Sequence, residues 1–265
     1  MTEIMTRSTL RPDSTTKPPA LFGFVPFNSG GRYIWLMSAM LLLLIVGPLI
    51  GRFYIIQDGL FIGDFLLGLV LLAAAATFFG SRSHFLVCLA LALVAVFCGG
   101  ASRAVQDSPA LVLSLVGHTA ESCLLAYMTL LIARDIFTTD DVDTDTICGS
   151  ISAYLLIAAL FAVIYTMIKR VDPTSFKIPD DLIAVDSSLG PDRLMAYFSI
   201  TTLTTLGYGD ITPRASLPRS LANFEALVGQ IYLTVLVARL VGRNLTQSVM
   251  SKVNRLDPGS GANDA

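Results

Sequence analysis

The sequence predicts an all-α integral membrane protein, and three observations carry that expectation. Of the 265 residues, 54% are hydrophobic and 14% charged, where soluble domains hold about 25% charged residues. The charges are spaced so that six stretches between them are each long and apolar enough to cross the hydrocarbon core, which takes about 20 residues. A seventh uncharged stretch, Leu194 to Gly209, is too short and too rich in Thr and Gly to cross. The 18 Lys+Arg and 20 Asp+Glu nearly cancel and form no basic block, so nucleic acid is not an expected partner while membrane lipid is. Cys88, Cys98, Cys123 and Cys148 lack CxxC spacing and read as small buried hydrophobes rather than disulfides or a zinc site.

The six predicted spans follow from the gaps between charges. Residues 33–51 separate Arg32 from Arg52, and residues 59–81 run from Asp58 to Arg82 with Asp64 near their start. Residues 83–102 carry His84 at their edge, and residues 108–133 contain His118 and Glu121. Residues 146–168 and 220–238 complete the set, the last broken by Glu225. The organisation expected is a disordered cytosolic tail (1–31), a four-helix transmembrane domain (32–135), an acidic linker (136–145), a two-helix module with a short segment between its helices (146–243), and a short cytosolic tail (244–265). An even number of spans puts both termini on one side, taken as cytosolic, of a cell (inner or plasma) membrane. The distribution of Lys and Arg between the two sides is too even to fix that orientation alone.

Residues 191–213, PDRLMAYFSITTLTTLGYGDITP, lie between the fifth and sixth spans. Pro191 suits a first helical position and Asp192 complements the helix dipole. A helix from about Asp192 to Thr204 rises roughly 20 Å, enough to enter half a bilayer and turn back. Irregular backbone at that depth is tolerated only where it is buried in protein or lines a water-filled path. A potassium ion sheds its water only where a ring of oxygens replaces it, and the carbonyls of an extended strand align when alternate residues take positive φ. Gly207 and Gly209 supply that freedom, Thr205 can add a hydroxyl at the inner end, and Tyr208 can turn its ring outward to brace the strand. One strand gives one oxygen per level, so closing a ring requires several copies of the chain.

Thr205-Leu206-Gly207-Tyr208-Gly209-Asp210, preceded by TTLT and followed by ITP, resembles the selectivity filter of tetrameric, prokaryotic-type potassium channels of the pore-loop superfamily. The resemblance covers residues 146–243 and implies an outer helix, a re-entrant pore helix, a filter and an inner helix arranged fourfold around a pore. Potassium, as permeant ion and not cofactor, would be coordinated by Thr205, Leu206, Gly207 and Tyr208, with Gly209 closing the filter. Leu206 stands where many members carry valine, a change that leaves the carbonyl intact. Asp210 is expected to steady the outer filter or to be a solvated carboxylate at the mouth. Glu225 is expected level with the filter, paired behind the pore helix. Gly229 is a candidate gating hinge or a packing glycine.

The fourth predicted span carries no Lys or Arg between Ala110 and Ala133, so steep voltage gating, which wants about 3 to 4 charges per subunit, is not expected. His118 and Glu121, one helical turn apart, form a candidate sensor pair or a hydrogen-bonded pair that fixes packing, with Asp64 a further partner. Asp140, Asp141, Asp143 and Asp145 precede the fifth span. Thr146 and Ser152 occupy the places of the glycine and glutamate an EF-hand requires, so that motif is absent, and Asp145 is placed to cap the fifth helix. Four copies of the segment could still concentrate cations or bind calcium. The expected function is a passive, potassium-selective channel without an enzymatic role. The alternatives are a nonselective cation channel and a potassium-transporter subunit.

Overall fold

A computed structural model describes residues 31–53, 68, 82–105, 108–139, 143–180, 182 and 191–256. Six helices and two short strands lie within them: α1 (Arg32–Phe53), α2 (Arg82–Ala104), α3 (Ser108–Thr138), α4 (Thr144–Val171), β1 (Phe176–Lys177), α5 (Pro191–Leu203), β2 (Thr212–Pro213) and α6 (Ser216–Leu256). Four are long and apolar enough to cross a membrane, over Ser83–Ser102, Pro109–Thr138, Thr144–Val171 and Ser216–Arg239. α1 adds a shorter apolar stretch, Arg32–Ile45. The protein is thus a multi-span helical membrane protein. The second predicted span, residues 59–81, falls outside the described residues apart from Gly68, as do Asp64, Asp140, Asp141 and residues 1–30.

α4 is the shared wall of the molecule. Its span is 56% buried where those of α2 and α6 are each 11% buried, because α1 and α3 pack on one side of it and α5 and α6 on the other. One core, built from Tyr33, Leu36, Cys88, Leu125, Met128, Ile132 and Leu156, joins α4 to the N-terminal helices. The other gathers Phe161, Tyr165, Phe176, Met195, Phe198 and Leu203 between α4, α5 and the strands. Tyr165, Phe176 and Phe198 meet edge to face, at centroid distances of 5.1 to 5.8 Å. Of the four cysteines only Cys88 and Cys148 are buried; Cys123 is exposed on α3, where its neighbour would be lipid.

The start of α4 corrects one expectation. Asp143, not Asp145, is the N-cap: its Oδ1 accepts from the Thr146 N–H and the Thr146 hydroxyl, each at 2.8 Å. Those bonds, the backbone N–H foremost, hold the Asp143 carboxyl below the usual carboxylate range. Asp145 is buried and serves a different helix. Its Oδ1 accepts from the backbone N–H groups of Tyr33, at 2.8 Å, and Ile34, at 3.2 Å, at the bare start of α1. The Tyr33 ring then lies flat on Gly149, where a Cβ would fall within 2.8 Å of it, and the Tyr33 hydroxyl donates to Asp135 at 2.5 Å.

α6 is far longer than its span. At 1.5 Å per residue its 41 residues reach about 60 Å, twice the hydrocarbon thickness, so the helix continues past Arg239 as a rod beyond the apolar layer. Near that boundary Arg239 donates to the Thr139 carbonyl at 2.7 Å and lies over the Phe137 ring, tying α6 to the end of α3.

Candidate functional site

The segment between α4 and α6 is anchored before it becomes irregular. Ser175 O accepts from the N–H groups of Arg214 and Ala215, at 2.7 and 3.3 Å, and β1 pairs antiparallel with β2 through Phe176 and Pro213. Chain entering and leaving the region is therefore clamped to the end of α4. α5, of 13 residues, ends at Leu203, and its last turn tightens through Thr205 N–H to Thr202 O at 2.9 Å and Gly207 N–H to Thr201 O at 3.0 Å.

Beyond that turn the backbone alternates. Positive φ occurs at Thr205 (57°), Gly207 (52°) and Gly209 (78°), every second residue of the motif. The two glycines adopt it without steric cost, while Thr205 gives up about 1 to 2 kcal/mol by the ordinary L-residue preference. Residues 204–209 are all exposed on the single chain, with Leu206 56% and Tyr208 67% accessible.

Two contacts from α5 brace this strand. The Tyr197 hydroxyl of α5 donates to Asp210 Oδ2 at 2.6 Å, and the Tyr208 ring stacks parallel to the Tyr197 ring at 6.3 Å. The same hydroxyl holds the Asp210 carboxyl below the usual carboxylate range, and the Ile211 N–H adds to the effect. Behind α5, Glu225 of α6 is fully buried. Its Oε2 accepts from the Tyr165 hydroxyl of α4 at 2.7 Å, and its Oε1 lies 2.5 Å from the Ser199 hydroxyl of α5, which also reaches the Ala158 carbonyl at 2.7 Å. One carboxyl group thus joins three helices.

Gly229 of α6 is buried against the end of α5. A Cβ there would collide with the Leu203 carbonyl oxygen, which already accepts the Tyr154 hydroxyl at 3.0 Å. The next residue, Gln230, donates from Nε2 to Thr205 Oγ1 at 3.3 Å. The sequence marks Glu225 and Gly229 but not Tyr165, Ser199 and Leu203, which they meet, nor Tyr154, Tyr197 and Gln230. For Gln230 a signal existed, since an amide interrupts an apolar span.

The remaining candidates lie away from this region. His118 of α3 is half-buried, its Nδ1 2.6 Å from the carbonyl of Ser114 in its own helix; Arg170 of α4 donates to the Ser114 hydroxyl at 3.0 Å. Glu121 is half-buried one turn further along. Asp143 and Asp145 are occupied with the two helix starts, and among the described residues no three of His, Cys, Asp or Glu converge as metal ligands.

Comparison with known proteins places the same segment in a family context. Residues 193–246, which span α5, the strand and most of α6, match the family described as "Ion channel". The chain is 34% identical over 118 residues to Protein LctB of Bacillus caldotenax, covering 44% of this chain and 87% of that protein. It is 33% identical over 84 residues to Potassium channel subfamily K member 17 of Homo sapiens, covering 31% of this chain and 25% of the human protein. The chain therefore matches about a quarter of the human relative's length.

Proposed function

Because the chain belongs to the ion-channel family, a transport rather than an enzymatic family, we propose that it is a potassium-selective channel whose filter is residues Thr205 to Gly209. The observation that carries this reading is the alternation of positive φ at Thr205, Gly207 and Gly209 directly after a helix half a bilayer long. In an extended strand that alternation turns successive carbonyls toward one side, the arrangement that can replace the hydration shell of a cation. Thr205, Leu206, Gly207 and Tyr208 supply the oxygens. Asp210 and Glu225 hold the strand from the outer side and from behind, through Tyr197 and through Tyr165 and Ser199.

The functional unit is a homotetramer. One strand cannot close a ring, and α6 leaves Leu217, Phe224, Leu227, Ile231 and Val235 exposed beside an exposed Leu206 and Tyr208, a surface suited to identical neighbours. Conduction is passive. α3 offers no row of arginines for the field to move, so the N-terminal helices act on the pore by some means other than a conventional voltage sensor. Both termini are cytosolic, which places the filter toward the outer side and the long extension of α6 inside.

Potassium and sodium fluxes through the purified protein in liposomes test the proposal, with Gly207→Ala as the control. Potassium flux exceeding sodium flux by at least tenfold and abolished in Gly207→Ala is the expected result, since a Cβ at φ 52° is strained. Equal fluxes of the two ions would replace it with a nonselective pore.

A further inference from the structure

At its inner end the pore strand meets α6, and two consecutive residues of α6 make the contact. The backbone of Gly229 sits against the Leu203 carbonyl with no room for a Cβ, which fixes the height of α6 against the pore segment. That seat brings Gln230 under Thr205, with Nε2 to Oγ1 at 3.3 Å. Both residues are exposed. One turn further Thr234 is exposed as well, its hydroxyl donating to the Gln230 carbonyl at 2.7 Å. The other exposed side chains of this stretch include Leu227, Ile231, Leu233, Val235 and Val237, all apolar.

An amide side chain without protein cover in the middle of a spanning helix is costly against lipid, and such groups face a bundle interior or water. Gln230 and Thr234 therefore mark the wet stripe of α6, with Leu227 and Val237 along the same face at helical spacing and Ile231 and Val235 turned away from it. The stripe begins directly below the last oxygen of the motif.

We propose that Gln230 is a positioning residue of the conduction path: its side-chain amide orients the Thr205 hydroxyl, the innermost filter oxygen, toward cations arriving from the inner cavity. The inference rests on the potassium-channel reading above. A threonine hydroxyl carries one proton and two acceptor lone pairs. When the Gln230 N–H takes one lone pair, the other lone pair and the proton have defined directions, and the hydroxyl stops being a free rotor. Backbone φ at Thr205 is already held at 57°, so this rotation is the freedom left to lose. The amide is neutral, so it tunes the innermost site without adding a charge that would trap the ion.

The test measures potassium flux against potassium concentration for the full chain in liposomes. Gln230→Met keeps the reach and removes the donor, Gln230→Asn keeps the donor and loses the reach, and Thr119→Val removes an exposed hydroxyl of α3 far from Thr205. Both Gln230 variants are expected to raise the half-saturating potassium concentration about threefold or more, the scale of one hydrogen bond, while retaining preference over sodium. Thr119→Val should keep the wild-type value. Unchanged half-saturation in the Gln230 variants, or a fall in maximal flux alone, would overturn the inference and leave Gln230 as a packing residue. Gln230→Leu, which fills similar volume with neither a donor nor a charge, decides the matter if the other two fail to assemble: wild-type half-saturation there overturns the inference, and a raised value supports it. A wild type that conducts without preferring potassium overturns the channel reading itself, so the two failures are distinguishable.

Discussion

Replacing Gly229 by alanine separates two roles that a glycine in an inner helix can have. If Gly229 served only as a flexible point, Gly229→Ala would stiffen α6 and stabilise it by about 1 kcal/mol, the helix-propensity difference between the two residues. The structure places that Cβ on the Leu203 carbonyl oxygen and within 2.9 Å of Leu203 Cδ1. Neither neighbour yields freely, because the carbonyl is backbone and is held by the Tyr154 hydroxyl. Overpacking of this kind costs about 1 to 3 kcal/mol, and displacing the Tyr154 bond adds about 1 kcal/mol. The net expectation is a loss of about 1 to 3 kcal/mol per subunit, with α5 pushed off its seat. Thermal unfolding of the purified protein in detergent, read beside potassium flux, measures both effects. A Gly229→Ala protein as stable as wild type, with altered opening alone, would refute the packing argument and return the residue to a hinge.

Two further perturbations test the supports of the strand. Glu225→Gln keeps an acceptor for the Tyr165 hydroxyl and should assemble and conduct, whereas Glu225→Ala leaves the buried Tyr165 hydroxyl without its acceptor, Ser199 keeping the Ala158 carbonyl, and should cost about 1 to 3 kcal/mol; equal stability of the two variants would dismiss the three-helix junction. The Asp210 carboxyl is held below its ordinary range in the folded protein, so the stabilisation it contributes is fully present above about pH 4 and is lost as pH falls through its depressed value. Flux selectivity should therefore be flat between pH 5 and 8 with respect to this residue, and Asp210→Asn should abolish any acid-side loss; a wild-type transition near neutrality that Asp210→Asn removes would contradict that assignment.

Much of the architecture was legible because charge avoidance in a bilayer is a strong, local signal. The start and stop of α2 follow Arg82 and Arg103 and the start of α4 follows the aspartates before Thr144, whereas α3 runs four residues past Arg134, to Thr138. Gly207 and Gly209 announced left-handed backbone, since only glycine takes it freely. Thr205 did not, because a threonine carries no such signal and its φ is imposed by the turn closing α5. Capping was misread by two residues for a similar reason. Asp143 and Asp145 are equivalent by local rules, and what separates them is the start of α1, where the bare N–H groups of Tyr33, 112 positions from Asp145, and Ile34 claim one of the two carboxylates. A buried Glu225 implies partners, yet nothing in the sequence says that they are a tyrosine 60 positions and a serine 26 positions before it.

The unequal burial of α2 and α4 has a bearing on how the chain tolerates change. The two spans have the same mean hydropathy, yet one faces mostly outward and the other is walled in by protein. For α2 the surrounding medium is fluid, so exchanging one aliphatic shape for another at Leu86, Leu93 or Phe97 leaves its partition into lipid nearly unaltered. For α4 the medium is solid: Ala153, Leu156 and Tyr165 have no accessible surface, and the same exchange there must be answered by four neighbouring helices. Sequences drifting under selection for this fold would therefore keep composition in α2 and shape in α4, a distinction invisible to any scale that scores residues by affinity for oil.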